Sequence, residues 1–255
     1  MKKLSTMTVS IAIVMFYSIN IYGQKIMKLD DDLKANSEPM EAKLKGISRV
    51  GKYEFGPYRI VSGKAGWGTT KWREDKFNSE TYSESKSKLS FVFTVNGKDT
   101  ILVNTTTNTK FNESESNFLG GDMTTLNKSI DNYLALISPS YDTTGWKMVL
   151  VSSIGAEVVG KFKAEGILTN GITNIQIREI KQWEDGKNTT FKMICGYGFF
   201  LDNNEIAAVQ SNFDLSPKKF VWLHQNLDEQ MKSILAAASA ALMVHTVDTE
   251  SNSKD

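Results

Sequence analysis

The chain carries one cysteine, four prolines and two histidines in 255 residues. A lone thiol, Cys195, rules out an intramolecular disulfide, so the fold has to be held by its apolar core. His224 and His245, with no Cys pair and no His-x-x-x-His spacing, do not make a zinc site. An excess of one charge is lacking too, since 30 Lys and Arg face 29 Asp and Glu. Nucleic-acid binders carry a basic face and anionic membranes attract one, so the balance argues against both. No apolar run reaches the roughly 20 residues of a membrane-spanning helix. Named catalytic motifs are missing as well. GKAGWG and GYG follow no strand-to-helix phosphate-binding layout, and neither G-x-S-x-G nor a Walker pattern occurs.

What is present begins with an export signal. Lys2 and Lys3 precede an apolar run from Val9 to Tyr17, and NIYGQ offers cleavage after Gly23. No cysteine lies near that point, which closes the lipoprotein route. Removing residues 1–23 takes away two lysines and no acid, leaving 28 bases against 29 acids. The expected address is the periplasm, cell surface or exterior of a Gram-negative bacterium. Residues 24–45 are charged and poor in aromatics, and read as a leader or a loosely docked helix outside the core. Its Asp30-Asp31-Asp32 run lacks the EF-hand spacing and reads as a solvated face.

From residue 46 the texture becomes β. KLSFVFTV puts Leu89, Phe91, Phe93 and Val95 on one face, Asn96-Gly97 turns the chain, and DTILV returns, which is the strongest short hairpin signal. Similar runs recur from Gly145 to His224 with turns drawn from Gly, Asn and Asp. The sequence predicts a mainly β (α+β) domain over 46–247, with about nine or ten antiparallel strands in a barrel or sandwich, and a polar tail over 248–255. One internal helix is expected from Asp122, as its N-cap, through Ile137, because Met123, Leu126, Ile130, Tyr133 and Ile137 recur at helical spacing.

SILAAASAALMV, residues 233–244, is uncharged. Twelve helical residues reach about 18 Å, short of the roughly 30 Å of a bilayer core. A helix apolar on all sides is a buried helix. Its expected cap is Asn226, with Glu229 completing the box and Asp228 at the positive end of the dipole. The meander of hairpins ending in NNEIAAV, the short strand KKFVWLHQ and this terminal helix together resemble the tubby C-terminal-like superfamily, which includes plant LURP-one proteins and phospholipid scramblases. The resemblance covers roughly Gly145 to Val247 and implies a closed barrel wrapped around a hydrophobic C-terminal helix. Phosphoinositide-binding members use a basic patch. No matching cluster stands in this chain, so no site residues carry over. GWGTTKW and ESKSKLSFVF are similar to exported bacterial proteins of unknown function, which implies nothing about activity.

Residues that could carry chemistry are few. Cys195 lies between apolar neighbours and reads as a small buried hydrophobe. Glu74-Asp75 and Glu184-Asp185 are adjacent in sequence, so on strands they point to opposite faces and are poor acid/base partners. Carboxylates assembled from distant strands, as in a hydrolase acting on glycans, form one functional reading. The other is a non-catalytic module that binds an apolar or lipidic ligand or a protein partner. Trp67, Trp72 and Tyr82, in a Gly/Ser/Thr-rich segment, are its candidate ligand-binding residues. No metal or cofactor is expected. Asp99-Thr100-Ile101 and Asp142-Thr143-Thr144 fit the short Asp-Ser/Thr-apolar pattern at which some exported bacterial proteins are O-glycosylated.

Overall fold

The computed structural model describes residues 25–45, 50–75, 80–118, 121–155, 163–189, 194–211 and 218–252. The expected signal peptide lies outside these residues. A five-residue helix α1 (Asp31–Ala35) precedes thirteen strands, and a long helix α2 (Glu229–Asn252) follows them. The strands are β1 (Met40–Lys45), β2 (Lys52–Phe55), β3 (Tyr58–Ala65), β4 (Thr69–Asp75), β5 (Glu80–Val95), β6 (Asp99–Phe118) and β7 (Gly121–Pro139), then β8 (Trp146–Gly155), β9 (Lys163–Thr169), β10 (Asn174–Ile180), β11 (Gly196–Leu201), β12 (Asn204–Gln210) and β13 (Lys219–Leu223).

All pairings are antiparallel. The order runs β3-β2-β1-β13-β12-β11-β10-β9-β8-β7-β6-β5, and β3 pairs back onto β5 to close a twelve-stranded barrel. β4 stays outside the ring, paired to the far half of β5. The strand count thus exceeds the nine or ten expected. The surplus includes β1, inside the supposed leader, and β7, which falls where a helix was expected.

Turn chemistry fixes the register as expected. Asn96 and Gly97 have φ of 52° and 69°, and Asp202 and Asn203 have 51° and 66°. Positive φ at both central residues matches the turn twist to the strand twist. Alternation does the rest. Leu89, Phe91, Phe93 and Val95 face inward with Ile101, Val103, Tyr133, Ala135 and Ile137. An apolar lumen with charges on the outside is the reverse of a lipid-facing barrel.

A barrel of about eight strands fills itself with side chains, whereas twelve leave room for a helix. α2 occupies that room. Every residue from Ser233 to His245 is buried, and Ala236, Ala237, Ala238, Ala240 and Ala241 have no exposed surface at all. Alanines keep the helix thin enough for the wall to approach from all sides. The Ser239 hydroxyl, in the middle of this buried run, donates to the Leu235 carbonyl at 2.8 Å. The N-cap is Asp228 and not Asn226. Asp228 Oδ1 accepts from the Met231 amide at 2.7 Å, three residues on.

The expected internal helix over 122–137 is instead β7, paired to β6 along its length and to β8 from Lys128 to Ile137. Tyr133, Ala135 and Ile137 point into the lumen, while Leu136 on the outer face is 45% exposed. Apolar side chains on both faces disguised the period of two as a period near 3.6. Residues 25–45 are docked more firmly than a leader or a loose helix would be. Met27 and Leu33 are buried against the outside of the barrel with Trp183, Cys195, Ala208, Phe220 and Trp222. Met27 pairs with Trp183 as an isolated bridge, and β1 joins β13 to β2. A few apolar anchors among many charges were enough to dock the segment.

Candidate functional site

The barrel has two unlike ends. At one, the turns between β5 and β6, β7 and β8, β9 and β10, and β11 and β12 gather around the start of α2. At the other, β5, β6 and β7 run past the rim. β6 has 20 residues, about 65 Å of strand at roughly 3.3 Å each, against 5 in β13. With β4 on its margin this overhang is an open sheet.

Residues directly opposite across antiparallel strands share a face. Thr70, Ser85, Thr109, Asp131 and Ser152 therefore form one inward row at the rim. Trp72, Ser83, Phe111 and Ser129 form the next row outward. Trp72 and Phe111 stand two strands apart on that face, roughly 10 Å. Tyr82 pairs with Arg73 and Asn112 and so lies on the opposite face, where its hydroxyl donates to Glu80. Trp67 sits in the break between β3 and β4. Exposure reaches 94% at Trp67 and 70% at Trp72. The three expected residues thus share one region but not one clamp. The ring on Trp72's own face is Phe111, which the sequence reading missed because its strand was legible only near the barrel.

Titratable groups meet at the same rim. His245 Nε2 lies 2.9 Å from Asp131 Oδ2, and Thr109 donates to Asp131 Oδ1 at 3.0 Å. The imidazole stacks on Tyr133 with centroids 4.2 Å apart, and the Tyr133 hydroxyl donates to the Ala241 carbonyl at 2.9 Å. His245 lies inside the helix, which runs on to Asn252. Burial, reinforced by the Asp131 and Glu179 carboxylates, pushes the nearby Tyr197 hydroxyl far up. Asp131 Oδ2 fastens helix to wall and Oδ1 ties β7 to β6, and both side chains of the pair are mostly covered. The cluster is a fastening more than a reaction centre, since a general acid or base must reach a substrate.

The remaining sequence candidates are scattered. Cys195 is buried beneath the N-terminal segment, its Sγ 3.5 Å from the Gln182 carbonyl. It lies in the outer cluster, whereas Tyr197 and Phe199 face the lumen. His224 Nδ1 accepts from the Asn226 amide at 3.2 Å and its Nε2 lies 3.3 Å from Asp32, tying α1 to the barrel. Glu184 pairs with Lys34, and Asp185 accepts from the Lys187 amide at 3.0 Å. Glu74-Asp75 lies in β4, in the overhang and away from that turn. Among the described residues no group of three His, Cys, Asp or Glu is placed to hold a metal, and no helix is long and apolar enough to cross a membrane.

One buried carboxyl stands apart. Glu205 is 4% exposed, accepts from the Asp30 amide at 2.7 Å through Oε2, and is pushed up to about 7. Burial is the main cause and the Asp30 carboxylate adds to it, while the amide hydrogen bond opposes them. Beside it Gln210, wholly buried, accepts from the Met27 amide at 2.9 Å and donates to the Lys25 carbonyl at 3.0 Å. Together these two side chains read the backbone of the N-terminal segment.

No family model matches this chain, and no curated protein or solved structure does.

Proposed function

We propose that the mature chain is an exported, non-catalytic binding module, and that its partner is a protein adding an extended segment to the outer edge of β4. The single observation carrying this reading is the edge itself. Among the described residues β4 pairs only with β5, leaving a row of backbone donors and acceptors beside two highly exposed tryptophans. An open strand edge is a template for another strand, and rigid aromatics are the commonest anchors at interfaces. The lumen is an unsuitable alternative because α2 fills it. The hydrolase reading is weaker, since Glu74-Asp75 and Glu184-Asp185 do not converge and Asp131 is committed to His245. The barrel closed around its terminal helix supports kinship with the tubby-like superfamily, without supplying a site.

A second reading, an apolar or lipidic ligand, is favoured by the outer face of β6 to β9. There Leu102, Leu136, Val151 and Ile167 are each more than a third exposed. A photo-crosslinking residue placed in turn at positions 72, 151 and 172 in the native host separates the two readings. The protein reading expects one discrete protein adduct from position 72 and none from position 172. The purified partner should then bind the chain at least tenfold more weakly after Trp72→Ala. No adduct at 72, with lipid extracted from the purified chain, would overturn it.

A further inference from the structure

Three Asp-Thr pairs occur in the chain, at 99–100, 142–143 and 248–249. The fold treats them differently. Thr100 is the second residue of β6, just after the Asn96-Gly97 turn, exposed on the outer side while its neighbour Ile101 is fully buried in the lumen. Thr143 lies in the connection from β7 to β8 and is also exposed. These two segments are 43 positions apart in sequence yet adjoin in space. The Ser140 amide donates to the Thr100 carbonyl at 2.9 Å, and β6 and β7 bring Ile101 opposite Pro139. Tyr141 lies in the same connection, its hydroxyl raised chiefly by burial, opposed by a hydrogen bond with Ser233 and reinforced by the carboxylates of Asp99, Asp142 and Asp228. Within the second tripeptide the hydroxyls are sorted. Asp142 Oδ1 accepts from both the amide and the hydroxyl of Thr144 at 2.8 Å, which engages Thr144 and leaves Thr143 as the outward hydroxyl. The third pair is followed by Glu250 and lies within α2.

We propose that Thr100 and Thr143 are O-glycosylation sites, a paired sugar-bearing patch at the end of the barrel opposite the open sheet. The inference rests on the export reading, because the modification belongs to exported chains. In the transfer the threonine Oγ attacks the anomeric carbon of a sugar carried on a lipid pyrophosphate. The Oγ–carbon bond forms as the anomeric carbon–phosphate oxygen bond breaks, the pyrophosphate leaves with the electron pair, and the hydroxyl proton passes to a base of the transferring enzyme. Such an enzyme acting on a folded chain needs an acceptor hydroxyl clear of the sheet with an acidic neighbour, and both tripeptides offer one. Sugars there would leave the edge of β4 unobstructed, being a barrel length away.

The test is the intact mass of the chain purified from its own host, with N-terminal sequencing of the same sample. The expected result is a start near Gln24 and a mass above that of the polypeptide by whole-sugar increments. Electron-transfer fragmentation of the wild-type peptides should place the sugars on Thr100 and Thr143, with Thr249 bare. Thr100→Val and Thr143→Val should each remove one increment, the double variant both, and Thr100→Ser should retain its sugar. A start near Gln24 with the bare polypeptide mass overturns the glycosylation while leaving export standing. Retained Met1 with a bare chain overturns both. An increment that survives the double variant, or that fragmentation places elsewhere, overturns the assignment to these residues.

Discussion

Glu205 is buried, and the cost of keeping a charge there sets its behaviour. The carboxyl titrates at about 7 in the folded chain and near 4.5 when unfolded. Between those values the folded form holds a proton that the unfolded form has released. The stability this group contributes is therefore fully present below about 4.5 and is lost as pH rises through 7. Glu205→Gln keeps an oxygen to accept from the Asp30 amide and carries no charge. Its melting temperature should gain on wild type as pH is raised from 5 to 7 and level off above that, where both forms have released the proton. A difference that stays constant across that range would mean the site is wetter than its burial implies. Nothing in the sequence announced this carboxyl. NNEIAAV was legible as a hairpin, but the cover over Glu205 comes from Asp30, 175 positions away. Asp131 and His245 were hidden in the same way, because the strand carrying Asp131 was read as a helix.

At the scale of elements, α2 is the part where local pattern sufficed. Twelve uncharged residues with alanines around the whole circumference leave no face for water, and Ile234 to Val244 are buried without interruption. Single Asp substitutions from Ile234 to Val244 should all abolish soluble protein, with no helical rhythm of tolerance, because each buries an unpaired charge. Ala237→Leu and Ala240→Leu should fold at a cost of about 1–3 kcal/mol by urea denaturation, since the wall leaves no slack for extra methylenes. Tolerance at about half the positions would place the helix on a sheet and not inside a barrel. The hairpins were equally legible, wherever one face alone was apolar and Asn-Gly or Asp-Asn marked the turn. β7 shows where this breaks down. Leu134 and Leu136 put apolar bulk on its outer face, and what makes it a strand is its pairing with β6, which no local window contains.

At the scale of the whole molecule, closure is a long-range event. β1 meets β13 through Met40 and Val221, and β3 meets β5 through Tyr58 and Val95. The ring cannot close until the last strand is made, and its lumen stays empty until α2 follows. Such distant pairing is slow to form and has to be rewarded by the core it encloses. A chain ending at Asp228 would close around an unfilled apolar cavity, so it should lack a cooperative thermal transition and expose surface that binds apolar dyes. The overhang is in the opposite position. β4 and the far half of β5 lie beyond the helix-filled ring, and deleting residues 66–79 should leave the melting transition cooperative. Hydrogen exchange on the intact chain tests the same division without altering it. Amides of α2 from Ile234 to Val244 and of the strands around it should exchange last and together, at the rate of global unfolding. Those of β4 should exchange orders of magnitude sooner. A truncated chain melting close to wild type, or α2 exchanging as early as β4, would mean the barrel does not depend on the helix it surrounds.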